Sequence, residues 1–144
     1  MKDPNNPCIF CSIRKNELIF ENSLAYASKD SYPVTKFHSL VVPKRCIKNY
    51  FELNDKEILA CDDLVKKLQQ KISSEDSTVK GFNVGTNSGK VAGQSIFHCH
   101  IHVIPRREGD VENPQGGVRS VIPSKQHYIR TVSYTHLRAH ETCL

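Results

Sequence analysis

Gly93-Gln94-Ser95-Ile96-Phe97-His98-Cys99-His100-Ile101-His102-Val103-Ile104-Pro105-Arg106-Arg107 is the stretch that decides how this chain is read. Histidines stand at every second position, and apolar residues fill the places between and after them. Period-two alternation predicts a β-strand with His98, His100 and His102 on one face and a core-facing set on the other. Pro105 is expected to end that strand, because it has no N–H for the ladder. Three imidazoles on one face each need a partner or water. A solvated face is the plainest account. A metal site made from all three is disfavoured by reach: strand residues four apart are separated by about 13 Å, against metal–nitrogen bonds of about 2.1 Å. A third account gives the histidines different tasks along a bound substrate, with the middle one as nucleophile.

At 144 residues the chain fits one domain, a size that buries about two-thirds of the unfolded surface. The net charge of +5 comes without a basic run, so nucleic acid is not an expected partner. A positive balance suits a small polyanion such as a nucleotide phosphate. No apolar run approaches the ~20 residues of a membrane span, and the polar start, Met1 to Pro7, lacks the apolar centre of a signal peptide. A cytoplasmic protein without a membrane partner is expected. In that compartment the six cysteines, 8, 11, 46, 61, 99 and 143, are not expected to form disulfides. Cys8 and Cys11 make a C-x2-C pair of metal or redox type. Cys61 and Cys99 read as core residues.

Leu18–Glu21 and Leu24–Ser28 read as strands around a turn at Asn22-Ser23. His38–Pro43 is a further strand, and Val79–Thr86 another. Asn54-Asp55-Lys56-Glu57 is a capping box, opening a helix with Ile58, Cys61, Val65, Leu68 and Ile72 at helical spacing, and Leu59 and Leu64 beside them. Arg119–Tyr128 is expected to be a last extended piece. Strands, a helix and short turns predict a mainly antiparallel α+β domain. From Val132 the chain resembles a translated sequencing-adapter peptide. The expected organisation is therefore one domain over 1–131 and a non-native tail over 132–144.

His98-Cys-His100-Ile-His102-Val-Ile resembles the histidine-triad (HIT) motif, His-φ-His-φ-His-φ-φ with φ apolar, and Gly93-Gln94-Ser95 resembles that family's lead-in. Similarity runs from Cys8 to about Tyr128, and is nearest to small bacterial hydrolases of dinucleoside polyphosphates. The resemblance implies the HIT fold, a five-stranded antiparallel sheet with packed helices, paired into a homodimer with a ten-stranded sheet. It implies attack by His100 on an α-phosphorus, giving a nucleotidyl-histidine that water hydrolyses. By the same resemblance His102 donates to phosphate oxygens, while Gln94 and Ser95 touch the leaving-group bridge and the phosphate. Asp30 matches the ribose-binding acid and His38 a histidine near the nucleotide; Asn83 and Asn87 are further candidate substrate contacts. Asp30 also reads as a turn residue, and Gln94 and Ser95 as groups that satisfy loop backbone.

Two departures stand out. The family usually has glycine before the histidine at 38, whereas this chain has Phe37, expected to shift the turn or bring an aromatic near the base. Zinc-carrying relatives have a histidine where this chain has Cys46. Cysteine also binds zinc, so Cys8, Cys11, Cys46 and His98 form a candidate Cys3His set of the closed, structural type. The triad fixes the nucleotidyl half of a substrate and not its leaving group. A nucleoside phosphoramidase, a nucleotidyltransferase and a nucleotide-binding or sensing module therefore stand beside the polyphosphate hydrolase.

Overall fold

The computed structural model describes residues 8–129. Five strands build one antiparallel sheet: β1 (Leu18–Glu21), β2 (Ala25–Lys29), β3 (Ser39–Pro43), β4 (Val79–Gly85) and β5 (Ile101–Arg107). Their spatial order is β1-β2-β3-β5-β4. One long helix, α1 (Asp55–Glu75), connects β3 to β4 by way of a short 3-10 turn at Tyr50–Glu52.

Local chemistry explains these bounds. Asn22 closes the first hairpin by accepting from the amides of Leu24 and Ala25 at 3.1 and 2.9 Å. Asn54 caps α1 through the Glu57 amide, and the Glu57 carboxylate returns to the Asn54 amide, so the capping box forms as read. The buried stripe of α1 is Glu57, Cys61, Leu64, Leu68 and Ile72. Leu64, fully buried, takes the centre, while Ile58 and Leu59 face outward. The Arg45 guanidinium holds the buried Glu57 carboxylate at 2.7 and 3.0 Å and keeps it below the usual carboxylate range. The same pair pins the turn that carries Cys46.

The sheet separates two apolar clusters. On the helix side, Ala25, Ala27, Val41, Ile101, Val103 and Cys99 pack with Cys61, Leu64 and Leu68. On the other side Tyr26, Leu40 and Val42 pack with Phe10. Cys61 and Cys99 are both core residues.

Three expectations need correction. Strand pairing begins only at Ile101, so His98 and His100 precede β5 and only His102 lies within it. The alternation of faces extends back to Cys99 all the same, on the helix side. Pro105 does not end the strand: it pairs with Phe82 of β4. Its β3 side is open, because the β3–β5 ladder stops at Ser39–Val103. The Pro105 carbonyl on that side accepts from the Thr35 hydroxyl at 2.8 Å, and a proline is tolerated where no ladder N–H is called for.

Thirdly, residues 119–128 are not extended. A second compact unit begins at Asn113, and its described part contains 3-10 turns at Gly117–Val121 and Pro123–Lys125. Within it Arg119 donates to the Lys125 and Gln126 carbonyls and lies over the Tyr128 ring. Gly116 is required there: its φ is +86°, and a Cβ would collide with the Gln126 carbonyl. The expected tail, 132–144, lies outside the described residues.

Candidate active site and metal centre

Phe37 introduces the site, since it is the described non-glycine residue with positive φ (73°). Phenylalanine here adopts the left-handed backbone that glycine favours, a conformation that costs of order 1–3 kcal/mol. Its ring packs on the helix-side core rather than near the histidine-bearing face.

The turn delivers His38 onto a relay. Val34 N–H donates to His38 Nδ1 at 3.0 Å. Burial lowers the His38 pKa, against the opposing pull of Asp30, so the ring is neutral and carries its one proton on Nε2. Nε2 lies 2.9 Å from His102 Nδ1 and 3.3 Å from Asp30 Oδ2. His102 Nδ1 is 3.7 Å from that carboxylate, beyond hydrogen-bond length. His102 Nδ1 therefore accepts from His38, and its own N–H is on Nε2. Burial, His100 and His38 also lower the His102 pKa. The outcome is a neutral imidazole with a fixed outward donor. Asp30 keeps an Asx turn as well, accepting from the Tyr32 amide at 2.7 Å.

His100 is oriented differently. Its Nδ1 donates to the His98 carbonyl at 2.8 Å, leaving the Nε2 lone pair free. The His100 and His102 rings meet edge-on with centroids 5.4 Å apart. Thr86, which nothing in the sequence singles out, donates to the His100 carbonyl at 2.8 Å and fixes the backbone there.

The remaining predicted residues divide. Gln94 is buried, and its bonds all go to backbone: it accepts from Gly89 N–H and donates to the Lys48 and Ile96 carbonyls. It clamps the 89–96 loop. Ser95 is exposed in that loop and Asn87 half-buried at its start. Asn83, on β4, accepts from Arg106 at 2.7 Å.

Among the described residues, two groups of side chains have metal-ligand spacing. Cys8, Cys11, Cys46 and His98 place their donor atoms within 4.8 Å of one another, as do Asp30, His38 and His102. The tautomers separate them. His98 is fully buried, and burial keeps it neutral. Its Nε2–H donates to the Pro43 carbonyl at 2.8 Å, so the Nδ1 lone pair faces Cys8 Sγ at 3.1 Å and Cys11 Sγ at 3.5 Å. That is the second-shell pattern of a metal-binding histidine. Without a cation, burial and the neighbouring Cys8 and Cys46 thiols push the Cys11 thiol up to about 12. Bonds of about 2.3 Å to sulfur and 2.0 Å to nitrogen fit this donor set with small movements. At the second group, a metal on His38 Nε2 would force the proton to Nδ1, against the Val34 N–H. That group is a hydrogen-bond relay.

Comparisons with known proteins agree with this geometry. The HIT domain pattern matches residues 13–109. The chain is 36% identical over 103 residues to adenosine 5'-monophosphoramidase hnt1 of Schizosaccharomyces pombe, covering 69% of this chain and 74% of that protein. It is 35% identical over 112 residues to adenylylsulfatase HINT3 of Arabidopsis thaliana, covering 73% and 55%. A crystal structure of a histidine triad nucleotide-binding protein from Sulfolobus tokodaii superposes with a TM-score of 0.65 at 36% identity, covering 71% and 70%. With its sheet, its three alternating histidines and this extent of similarity, the chain belongs to the HIT family.

Proposed function

We propose that the protein is a nucleotidyl hydrolase that cleaves dinucleoside polyphosphates, of the diadenosine tetraphosphate type, at an α-phosphate. The observation that carries this reading is the pair of opposite tautomers: His100 with a free Nε2 lone pair, beside His102 with a free Nε2–H. His100 Nε2 attacks the α-phosphorus; the N–P bond forms as the bond to the leaving phosphate oxygen breaks. His102 Nε2–H stabilises the charge growing on the phosphate oxygens. Water then attacks the phosphorus of the adduct, the P–N bond breaks to return the electron pair to Nε2 of the neutral imidazole, and the proton lost by the water passes to solvent. Asp30, at the rim of the relay, accepts from the ribose hydroxyls. Ser95 contacts the phosphate, and Gln94 acts by holding the loop that presents it. Asn83 and Asn87 border the same loop.

Cys8, Cys11, Cys46 and His98 hold a structural zinc ion, which ties the N-terminal turn to the histidine segment and, having four protein ligands, supplies no open position for chemistry. β4 is an outer strand of the sheet, which supports pairing of two copies into a homodimer. The cysteines suit the reducing cytoplasm; no helix among the described residues is long and apolar enough to cross a membrane.

A second reading, nucleoside phosphoramidase, is favoured by the S. pombe relative, whose name specifies an adenosine 5'-monophosphoramidase. The test offers diadenosine tetraphosphate and an AMP phosphoramidate to the wild type and to His100→Asn. AMP plus ATP, absent in the variant, supports the polyphosphate reading. Consumption of the phosphoramidate alone establishes the second reading. Tight AMP binding with neither reaction identifies a nucleotide-binding module, and full turnover by His100→Asn removes the mechanism.

A further inference from the structure

Between the two cysteines of the N-terminal turn stands a residue that neither the zinc site nor the chemistry has yet used. The turn closes through Cys11 N–H on the Cys8 carbonyl at 3.1 Å, and it directs both thiols at His98. Phe10, within this turn, lies beside the same histidine segment. It is 7% exposed, and its carbonyl accepts from the Tyr26 hydroxyl at 2.7 Å. Its ring lies 4.8 Å, centroid to centroid, from that of His100 and 6.1 Å from that of His98.

The polar anchor of His100 is one bond, from Nδ1 to the His98 carbonyl. That bond fixes one ring nitrogen; the swing about it is limited by the edge of the His102 ring and by the apolar Phe10 ring, tilted 46° to the imidazole. The bond and the Phe10 contact both lead back to the cysteine–histidine cluster: the carbonyl belongs to His98, and the Phe10 ring is carried by the turn that holds Cys8 and Cys11.

We infer that Phe10 is a positioning residue for His100, and that the cysteine–histidine cluster, by holding the Phe10 turn, sets the angle of the nucleophile rather than only adding stability. The inference rests on the proposed role of His100.

The test compares zinc-loaded wild type with Phe10→Leu and, should leucine fail to fold, Phe10→Met, which is of similar volume but unbranched and better able to adapt to the site. Zinc content and thermal midpoint establish that each variant is intact. The first readout is the 15N and 13C spectrum of the His100 ring, without substrate. A second follows the single-turnover rate of adduct formation, with the adduct located by mass spectrometry. Loss of the Phe10 ring is expected to broaden or move the His100 ring signals and slow adduct formation by about 10- to 100-fold, with KM changed by less than about threefold. Stripping zinc from the wild type with a chelator is expected to move the same signals in the same direction. Unchanged His100 signals and rate in an intact variant overturn the inference. A loss wholly in KM also overturns it, because Phe10 then touches the nucleoside. An adduct found elsewhere than on His100 in the wild type would instead remove the reading beneath it.

Discussion

His38 is the residue whose replacement separates geometry from charge most cleanly. It is buried, neutral and 2.9 Å from His102 Nδ1. Asparagine places its amide nitrogen near the Nδ1 position and falls short of His102, whereas glutamine places one near Nε2 and keeps a donor there. His38→Asn therefore removes the group that fixes the His102 tautomer; His38→Gln retains it. A neutral hydrogen bond is worth about 0.5–1.5 kcal/mol net, which biases the tautomers by roughly 2- to 12-fold. Outright loss of an oxyanion donor would reach about 10²- to 10³-fold in kcat, so the biased case lies below that range. We expect kcat for adduct formation to fall about tenfold in His38→Asn, with KM less affected, and at least half of that loss, on the same scale, to be restored in His38→Gln. Rapid-quench kinetics supply the rates, and 15N spectra of His102 report the tautomer directly. Equal rates in the two variants, or a His102 tautomer unchanged in His38→Asn, would refute the reasoning.

Two further outcomes concern the cysteine–histidine cluster and the buried histidines. Cys46 is exposed, so Cys46→Ser disturbs little packing; it is expected to lose zinc in a chelator-competition assay while Cys46→His retains it, and equal retention by both would exclude Cys46 as a ligand. Burial lowers the pKa values of His38, His98 and His102, below an unfolded value of about 6.5. Between the folded and unfolded values the unfolded chain binds more protons, so stability rises with pH. Their contribution is full above about pH 6.5 and declines as the pH falls through the window below it. Urea midpoints measured on acidification should fall, and fall less steeply in His38→Gln; midpoints that rise instead would contradict the assignment.

Much of this architecture was legible locally. Asn22 and the Asn54–Glu57 box each act within three residues, and each forms as the sequence suggested. The alternation of His98 to Val103 also told the truth about faces, because side-chain direction follows backbone extension even where no strand is paired. Pro105 was misread because its tolerance depends on where β3 stops, which is a property of the sheet. Gln94 satisfies loop backbone, one of the two readings open to it, but its Lys48 partner, on a segment 46 residues away, was not legible locally. The His38–His102 relay needed the pairing of Leu40 with His102 before it could be seen. Phe37 carried the reverse lesson. Its place before His38 pointed to an unusual turn, and the backbone there is left-handed, with the phenylalanine ring held by core contacts.

The strand order carries a consequence for how the protein comes to be active. β1, β2 and β3 form a meander of neighbours in sequence, but β5 inserts between β3 and β4, and the relay joins residues 64 positions apart. Contacts of such separation are slow to form, because loop closure must precede their reward. A nascent or refolding chain can thus possess its hairpin and its helix while lacking any competent nucleophile. Catalysis requires the β3–β5 pairing that the relay spans, so recovery of turnover on refolding reports that pairing, which helical content does not.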